Sequence, residues 1–321
     1  MIRRLLLPLA ALAALVVAAP ASAQDPDPVV AAGVTVAGVD LSGMTAAQAT
    51  AALRAFAAEP LTLRLKAQTL AVPASTLGGK ARVARAVIAA LAAPAGTALR
   101  LQVAVTDWRL TAWIRKRANR FDRAAVSTRA RLVGVVPRLT PARPGRVLVR
   151  RHARVRLLSA MRKHRRDTVI LPVNTIRPAV TAGRFGPAVV IRRGSKRLTL
   201  FRGSGPGPMR AVARFPIATG MAAYPTPLGS FRIVTKQRNP WWYPPPAGWA
   251  AGAKPIPPGP GNPLGTRWMG LNVGAVGIHG TPDSASIGYS ASHGCIRMRI
   301  PNAEWLFERV RVGTPVFIVG S

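Results

Sequence analysis

The sequence predicts two folded domains behind an N-terminal leader: an α+β module in the first half and a mainly-β domain in the second. Three observations support this prediction. The chain opens with a basic and then apolar stretch, residues 1–23. Alternating β-branched segments and Ala-rich helical segments fill residues 24–175. From residue 188 onwards, short strand-like segments follow one another between Gly/Pro turns, a pattern typical of mainly-β domains.

The leader has the three parts of a secretory signal peptide. Arg3 and Arg4 form a basic start, residues 5–19 are apolar, and residues 21–23 read Ala-Ser-Ala, a small-residue cleavage site. We therefore expect an exported protein that acts in the cell wall or another extracytoplasmic space. The alternative is a leader that stays attached as an anchor, although the apolar run is short for a spanning helix.

The chain is strongly basic, with a formal net charge of +36. Residues 100–177 hold 21 Lys/Arg against 3 Asp/Glu. Export excludes chromosomal DNA as the ordinary partner, and the arginines lack the interleaved aromatic residues of single-strand nucleic-acid sites. Two interpretations remain: contact with anionic polymers of the cell envelope, or a solvated basic face.

The first domain is predicted to run from residue 24 to 175. Residues 45–48 form a capping box that opens a helix ending near residue 58, and residues 61–72 alternate as a hairpin would. His152 and His164 lie among arginines without metal-ligand spacing and are interpreted as surface or packing residues. Residues 176–187 carry Gly/Pro breaks and are assigned as a linker.

The second domain is predicted to cover residues 188–321. Residues 188–191 and 197–201 flank a Gly-Ser turn and form a hairpin, and residues 315–319 form the closing strand. Residues 239–249 place three tryptophans and a tyrosine among prolines. This stiff aromatic segment either lines a substrate groove or covers a sheet edge.

The candidate reactive side chains lie within residues 278–298. Cys295 is the only cysteine of the 321 residues, and His279 and His293 are two of the four histidines. A lone thiol in an exported chain is either intermolecular or reactive. Two alternatives are a buried packing cysteine and a zinc site that adds Asp283 to these three residues.

A thiol near its ordinary pKa of roughly 8.5 is mostly protonated at neutral pH, so a base is needed to make it a nucleophile. His279, sixteen residues before Cys295, is the candidate base. The N–H groups of Gly294 and Cys295 are candidates for an oxyanion hole. Arg297 is a candidate for binding a substrate carboxylate, and Ser292 for substrate binding or for orienting a histidine.

The segments IHGT at 278–281 and SHGCIRM at 292–298 together resemble the signature of YkuD-type L,D-transpeptidases. The TPLG turn at 226–229 and the hairpin from residue 188 also fit, and the similarity covers about residues 188–320. The resemblance implies a sandwich-like β fold with the Cys/His pair in a groove, and no metal or organic cofactor.

By the same resemblance, Cys295 attacks the carbonyl between a diamino acid and D-alanine in a peptidoglycan tetrapeptide stem. D-Alanine leaves, a thioester remains, and an amine acceptor resolves it into a 3→3 cross-link or another amide. His279 is implied as general acid/base, and His293 as a supporting residue that shapes the pocket. Peptidoglycan stem peptides are thus the expected partner, with anionic wall polymers as a further one.

The first domain resembles the family-4 peptidoglycan-binding module in its opening GVTVAGVDLSG at 33–43 and its close LPV at 171–173. This resemblance implies a wall-associated α+β module. Two other functions stay open for the whole chain. One is L,D-carboxypeptidase activity, in which water replaces the amine, and the other is a non-catalytic, basic wall-binding protein.

Overall fold

A computed structural model describes residues 27–321. The predicted signal peptide, residues 1–23, lies outside the described residues. Within residues 27–321, no helix combines the length and the apolar character that crossing a membrane requires.

The secondary structure alternates short strands with five helices across the described residues. The helices are α1 (Ala46–Ala58), α2 (Val83–Leu91), α3 (Asp107–Phe121), α4 (Arg150–Arg162) and α5 (Ile300–Phe307). The strands are β1 (Thr35–Val36), β2 (Val39–Asp40), β3 (Leu61–Leu65), β4 (Gln68–Val72), β5 (Gly79–Ala81), β6 (Ala98–Leu99), β7 (Val103–Val105), β8 (Ala130–Val133), β9 (Val136–Leu139), β10 (Gly145–Leu148), β11 (Val169–Ile170), β12 (Val173–Ile176), β13 (Ala188–Arg192), β14 (Arg197–Arg202), β15 (Gly207–Pro208), β16 (Arg210–Pro216), β17 (Thr219–Gly220), β18 (Gly229–Arg238), β19 (Arg267–Leu271), β20 (Gly277–Thr281), β21 (Ser290–Ser292), β22 (Ile296–Arg299) and β23 (Pro315–Val319).

The chain divides into two compact units that are discontinuous in sequence. The first unit contains residues up to Arg115 together with Arg150–Leu171, and the second contains Lys116–Val149 and Pro172–Ser321. The predicted domains are continuous stretches, and their boundaries at 175 and 188 stay a prediction. Strand β12, which pairs with β10 in an antiparallel ladder, ends at Ile176, the first residue of the segment predicted as a linker.

The first unit is an α+β assembly. The structure confirms the predicted capping box at the start of α1. Thr45 accepts a hydrogen bond from the Gln48 N–H, and the Gln48 side chain accepts one from the Thr45 N–H. Two orphan donors at the start of α1 are thus satisfied reciprocally. Leu53 on α1 and Val87 on α2 are buried in the core of this unit. The predicted hairpin is the β3–β4 pair, and β11 adds to it in parallel.

The second unit is built on a mixed sheet of eight strands, in the order β16-β14-β13-β23-β18-β19-β20-β22. Strand β18 joins its two halves. The first part of β18 pairs with β23, the register then shifts between Ile233 and Thr235, and the last part pairs with β19. The predicted hairpin over residues 188–201 is confirmed as β13–β14.

Strand β13 is buried on both faces, which explains its continuous apolar run. Val189 and Ile191 belong to the main core, which α5 covers with Leu306. Val190, on the opposite face, packs in a second cluster that includes Leu139 of β9. Residues 116–149 therefore belong to the second unit because they shield the other side of its sheet.

Candidate active site

Cys295 lies immediately before β22, at the end of the turn that leaves β21. Its side chain is half-buried, and the thiol donates to the carbonyl oxygen of Ala275 at 3.5 Å. Burial raises the pKa of the thiol, although a backbone hydrogen bond from Gly277 and the charge of Arg297 oppose that rise. The resting thiol is therefore protonated at neutral pH.

His279 lies on β20, the neighbour of β22 in the sheet. The two strands are parallel, with His279 opposite Arg297 and Ile278 opposite Ile296. Because side chains alternate along a strand, Cys295 shares the sheet face of Arg297 and His279. All three residues line one cavity of about 630 Å³. The sheet register thus brings together residues that are sixteen positions apart in sequence.

The hydrogen bond of His279 fixes its neutral tautomer. Nδ1 lies 2.5 Å from the Gly280 carbonyl oxygen, which can only accept, so Nδ1 carries the proton and donates it. Nε2 is then left with a free lone pair. Burial lowers the pKa of His279 to about 4, helped by the Arg297 charge and opposed by the Gly280 hydrogen bond. At neutral pH, His279 is an unprotonated imidazole that can accept a proton.

This burial makes folding stability depend on pH. The unfolded chain takes up a proton on this histidine near its ordinary pKa of 6.5, whereas the folded chain does so only at about 4. Stability is therefore full above pH 6.5 and falls as the pH decreases towards 4. We expect wild type to lose about 3 kcal/mol more than His279→Gln between pH 7 and 4, measured by chemical denaturation. Equal losses in the two proteins would contradict this expectation.

Trp268 forms an aromatic wall of the cavity beside His279. The two residues are register partners on β19 and β20, and their ring centroids are 5.8 Å apart. The indole lies against two glycines: an added Cβ at Gly277 would fall 2.6 Å from its ring carbons, and one at Gly270 would fall 2.9 Å from Nε1. The absence of side chains at these positions leaves the space that the indole fills.

The turn that carries Cys295 is held by hydroxyl groups. Ser292 Oγ donates to the Cys295 carbonyl oxygen at 2.6 Å and accepts from the Gly294 N–H at 3.2 Å. Gly294 has φ +106°, a conformation that L side chains rarely adopt. From the other side, Thr226 Oγ1 donates to the Gly294 carbonyl at 2.9 Å and accepts from the Gly220 N–H at 2.8 Å. Thr226 thus ties the predicted TPLG turn to the cysteine turn.

These bonds bear on two predicted roles. The hydroxyl of Ser292 is used within the turn, so it positions Cys295 here, and its role in substrate binding stays a prediction. The N–H of Gly294 donates to Ser292. Gly294 can serve in an oxyanion hole only if that bond is shared or released, and this role also stays a prediction.

Arg297 is mostly buried and ion-paired with Asp283. Its Nη1 lies 3.4 Å from Asp283 Oδ2, and its side chain is 21% exposed against 57% for the aspartate. The guanidinium therefore stands beside His279 and Cys295 with one weak, solvent-facing partner, and a substrate carboxylate can compete for it. Among residues 27–321, no three His, Cys, Asp or Glu side chains are grouped to hold a metal ion, so the predicted zinc alternative has no ligand cluster there.

His293 is exposed at the mouth of the cavity and packs against aromatic rings. It stacks on Trp249 with centroids 3.9 Å apart and planes 12° apart, and Tyr224 lies 5.0 Å away on a tilt. Trp249 belongs to the aromatic segment at 239–249, which also contributes Trp241 and Tyr243 to the cavity lining. The segment therefore lines the cavity that contains Cys295 and His279, and its role in a substrate groove stays a prediction.

Asn262 holds this aromatic segment in place. It is 1% exposed, its Nδ2 contacts the carbonyl oxygens of Pro240, Ile256 and Pro257, and its Oδ1 accepts from the Leu264 N–H. The segment is closed by reciprocal backbone bonds between Trp242 and Ile256 at 3.0 and 2.9 Å. Sequence reasoning missed Asn262, although an Asn-Pro pair at 262–263 is a turn signal.

We expect Asn262→Ala to loosen the aromatic segment, because each buried polar partner that it leaves unsatisfied costs about 1–3 kcal/mol. Hydrogen exchange at the Trp242 and Ile256 amides should accelerate. Asn302→Ala, a half-buried asparagine on α5, is the matched control and should leave these amides unchanged. Unchanged exchange at both amides in Asn262→Ala would refute the role of Asn262.

Part of the chain matches a known protein family. The family model of the L,D-transpeptidase catalytic domain, YkuD, matches residues 186–318. Residues 186–318 are therefore similar to YkuD-type L,D-transpeptidase catalytic domains, and this match supports an L,D-transpeptidase enzyme.

Curated relatives are similar to part of the chain. YkuD of Bacillus subtilis, assigned by its name to the L,D-transpeptidases, is 35% identical over 130 residues, which are 40% of this chain and 64% of that protein. YqjB of the same organism, which its name also assigns to the L,D-transpeptidases, is 37% identical over 110 residues. These residues are 32% of this chain and 57% of that protein. The chain thus spans less than two thirds of either relative. A crystal structure of an Enterococcus faecium L,D-transpeptidase mutant aligns with a TM-score of 0.35 at 15% identity, covering 84% of this chain and 98% of that one.

Proposed function

We propose that the protein is an exported L,D-transpeptidase that forms a thioester between Cys295 and a peptidoglycan tetrapeptide stem. The observation that carries the proposal is the placement of Cys295 and His279 on one sheet face, lining one cavity inside the part of the chain that matches the YkuD model. A thiol beside a neutral imidazole with a free Nε2 is an arrangement suited to acyl transfer.

Acylation follows from the resting protonation states. As the Cys295 sulfur attacks the carbonyl carbon between the diamino acid and D-alanine, its proton moves to Nε2 of His279. The carbon–nitrogen bond then breaks, the proton passes from Nε2 to the leaving amine, and D-alanine departs. Because the thiol holds its proton at rest, proton transfer accompanies the attack rather than preceding it.

Deacylation reverses the roles. The acceptor amine of a neighbouring stem attacks the thioester, and His279 takes the amine proton. The carbon–sulfur bond breaks, and the proton returns from His279 to the sulfur. The products are the free thiol and a new amide, a 3→3 cross-link when the acceptor belongs to another diamino acid.

The other site residues have supporting roles in this proposal. Arg297 binds a carboxylate of the stem and strengthens the field that favours the thiolate. The N–H of Cys295, with that of Gly294 if Ser292 releases it, stabilises the tetrahedral oxyanion. His293 holds Trp249 at the cavity mouth, and Ser292 keeps the cysteine turn in shape.

The test is incubation of the protein, and of Cys295→Ala, with a disaccharide-tetrapeptide muropeptide, followed by mass spectrometry of protein and products. We expect a covalent adduct on Cys295, loss of D-alanine, and dimeric muropeptides, all absent with Cys295→Ala. Release of D-alanine without dimers would make the enzyme an L,D-carboxypeptidase. Unchanged substrate with wild type would leave a non-catalytic wall-binding protein and overturn the proposal.

A further inference from the structure

A second cavity, of about 840 Å³, lies within the first unit and far in sequence from the catalytic residues. Its walls are the end of α1, the strand β5, the first turn of α2 and the residues that follow α4. The YkuD match does not account for it, because that match begins at residue 186.

The cavity has an apolar floor. Leu61 and Met161 are buried, and Phe56 is half-buried between them and the rim. The floor is stiffened by His164, whose Nε2 lies 2.8 Å from the Leu101 carbonyl oxygen and whose ring packs on Phe56 with centroids 5.5 Å apart. A ligand here meets a preformed apolar surface.

The rim of the cavity is cationic. Glu59 is the single acidic residue that lines it, against six basic ones: Arg54, Lys80, Arg82, Arg85, Arg165 and Arg166. Two of these six are already neutralised within the unit. Arg165 pairs with Asp167, and Arg166 pairs with Glu59 at 2.8 Å while its guanidinium lies 4.1 Å above the Phe56 ring.

The other four, Arg54, Lys80, Arg82 and Arg85, form no ion pair with any of residues 27–321. Arg82 and Arg85 stand at the start of α2, where the N-cap has no side-chain hydrogen bond and the helix dipole adds further positive potential. Like charges around one concave surface repel each other and focus a positive field into it. An anionic ligand removes that repulsion, so the cavity is electrostatically complementary to an anion.

We infer that this cavity binds the carboxylate-bearing peptide stems of peptidoglycan, as a docking site separate from the catalytic one. Arginine guanidinium groups bind carboxylates in bidentate fashion. The apolar floor accepts the methyl groups and side-chain methylenes of a stem peptide, whereas a phosphodiester polymer presents mainly hydroxyl and phosphate oxygens. The inference rests on the proposed function for the choice of ligand only.

The experiment uses the full chain carrying Cys295→Ala, so that no turnover intervenes. Binding of a soluble tetrapeptide stem is measured by calorimetry, and hydrogen exchange over residues 79–85 and 161–166 locates the ligand. In this background, Arg82→Gln/Arg85→Gln is compared with Arg64→Gln/Arg151→Gln, two exposed arginines of the same unit that do not line the cavity. Both double variants lower the net charge equally.

We expect protection of both segments on binding, and about a tenfold or greater loss of affinity at this site in Arg82→Gln/Arg85→Gln, with little change in the control pair. An equal loss in both pairs would indicate general attraction to a basic protein and overturn the inference. Protection confined to the catalytic cavity would also overturn it. So would cavity-dependent binding of poly(glycerol phosphate) without binding of the peptide.

The two proposals fail separately. Acylation of Cys295 is measured with the wild-type chain, whereas docking is measured with Cys295→Ala. If Cys295 is not acylated but the peptide still docks, the protein is a wall-binding unit joined to an inactive domain. If Cys295 is acylated but the peptide does not dock in the first unit, the protein is an enzyme whose first unit has another role.

Discussion

His279→Gln should slow the acylation of Cys295 by about 10²–10⁴-fold at pH 7, because glutamine can accept a hydrogen bond but cannot take the thiol proton. In wild type, the neutral imidazole is available from above pH about 4 upwards. The acylation rate should therefore be nearly flat from pH 6 to 8. In His279→Gln, the rate should instead rise about tenfold per pH unit, since only the small thiolate fraction reacts. Stopped-flow or mass-spectrometric acylation rates across this range provide the measurement.

Two further variants separate this role from a general effect of losing a histidine. His152→Gln removes an exposed histidine of α4 in the first unit and should leave the rate unchanged. His293→Gln removes the stack on Trp249 and should cost far less than His279→Gln. A larger loss in His293→Gln than in His279→Gln would exchange the assigned roles of the two histidines. A tenfold rise per pH unit in wild type would contradict proton transfer from the thiol to His279 during the attack.

The second large effect is expected for Gly220→Ala. A Cβ at this position would collide with the Tyr224 carbonyl oxygen and lie 2.6 Å from the Thr226 backbone nitrogen. The backbone must then shift at the point where Gly220 bonds Thr226, and Thr226 in turn holds the Gly294 carbonyl. We expect destabilisation by about 1–3 kcal/mol, and about a 10²-fold loss of acylation rate from displacement of the cysteine turn.

The matched control is Gly205→Ala, because a Cβ at Gly205 meets nothing within 4 Å and the residue lies in the same unit. Its unfolding free energy and acylation rate should match wild type. Thermal or denaturant unfolding and the acylation assay together separate a folding defect from a displaced nucleophile. Normal stability and activity in Gly220→Ala would show that the turn adapts without cost.

The elements with strong local signals were predictable from the sequence. The capping box at Thr45 and the β13–β14 hairpin depend on residues close together in the chain, and the structure confirms both. The candidate nucleophile and base could also be chosen from the sequence, because Cys295 is the only cysteine and His279 lies in a short motif. The sheet register supplied what the motif lacked, namely the pairing of His279 with Arg297.

Other features depend on contacts between distant residues and left no local pattern. The stack of His293 on Trp249 joins two loops 44 positions apart. In the sequence, Thr226 looks like an ordinary turn residue. Only the structure reveals its hydrogen bond to Gly294, 68 positions away. The assignment of residues 116–149 to the second unit follows from Leu139 packing under Val190, which strand periodicity alone does not reveal.

The raised pKa of Cys295 also bears on the chemical lifetime of the enzyme. Peroxide and other oxidants attack the thiolate, so a thiol that keeps its proton is oxidised slowly. In oxidising surroundings, where the chain has no second cysteine to form a protective disulfide, this resting state limits conversion to sulfinic and sulfonic acids. In the proposed mechanism the thiol loses its proton only during attack on a bound acyl donor, so peroxide should oxidise Cys295 of the substrate-free protein slowly.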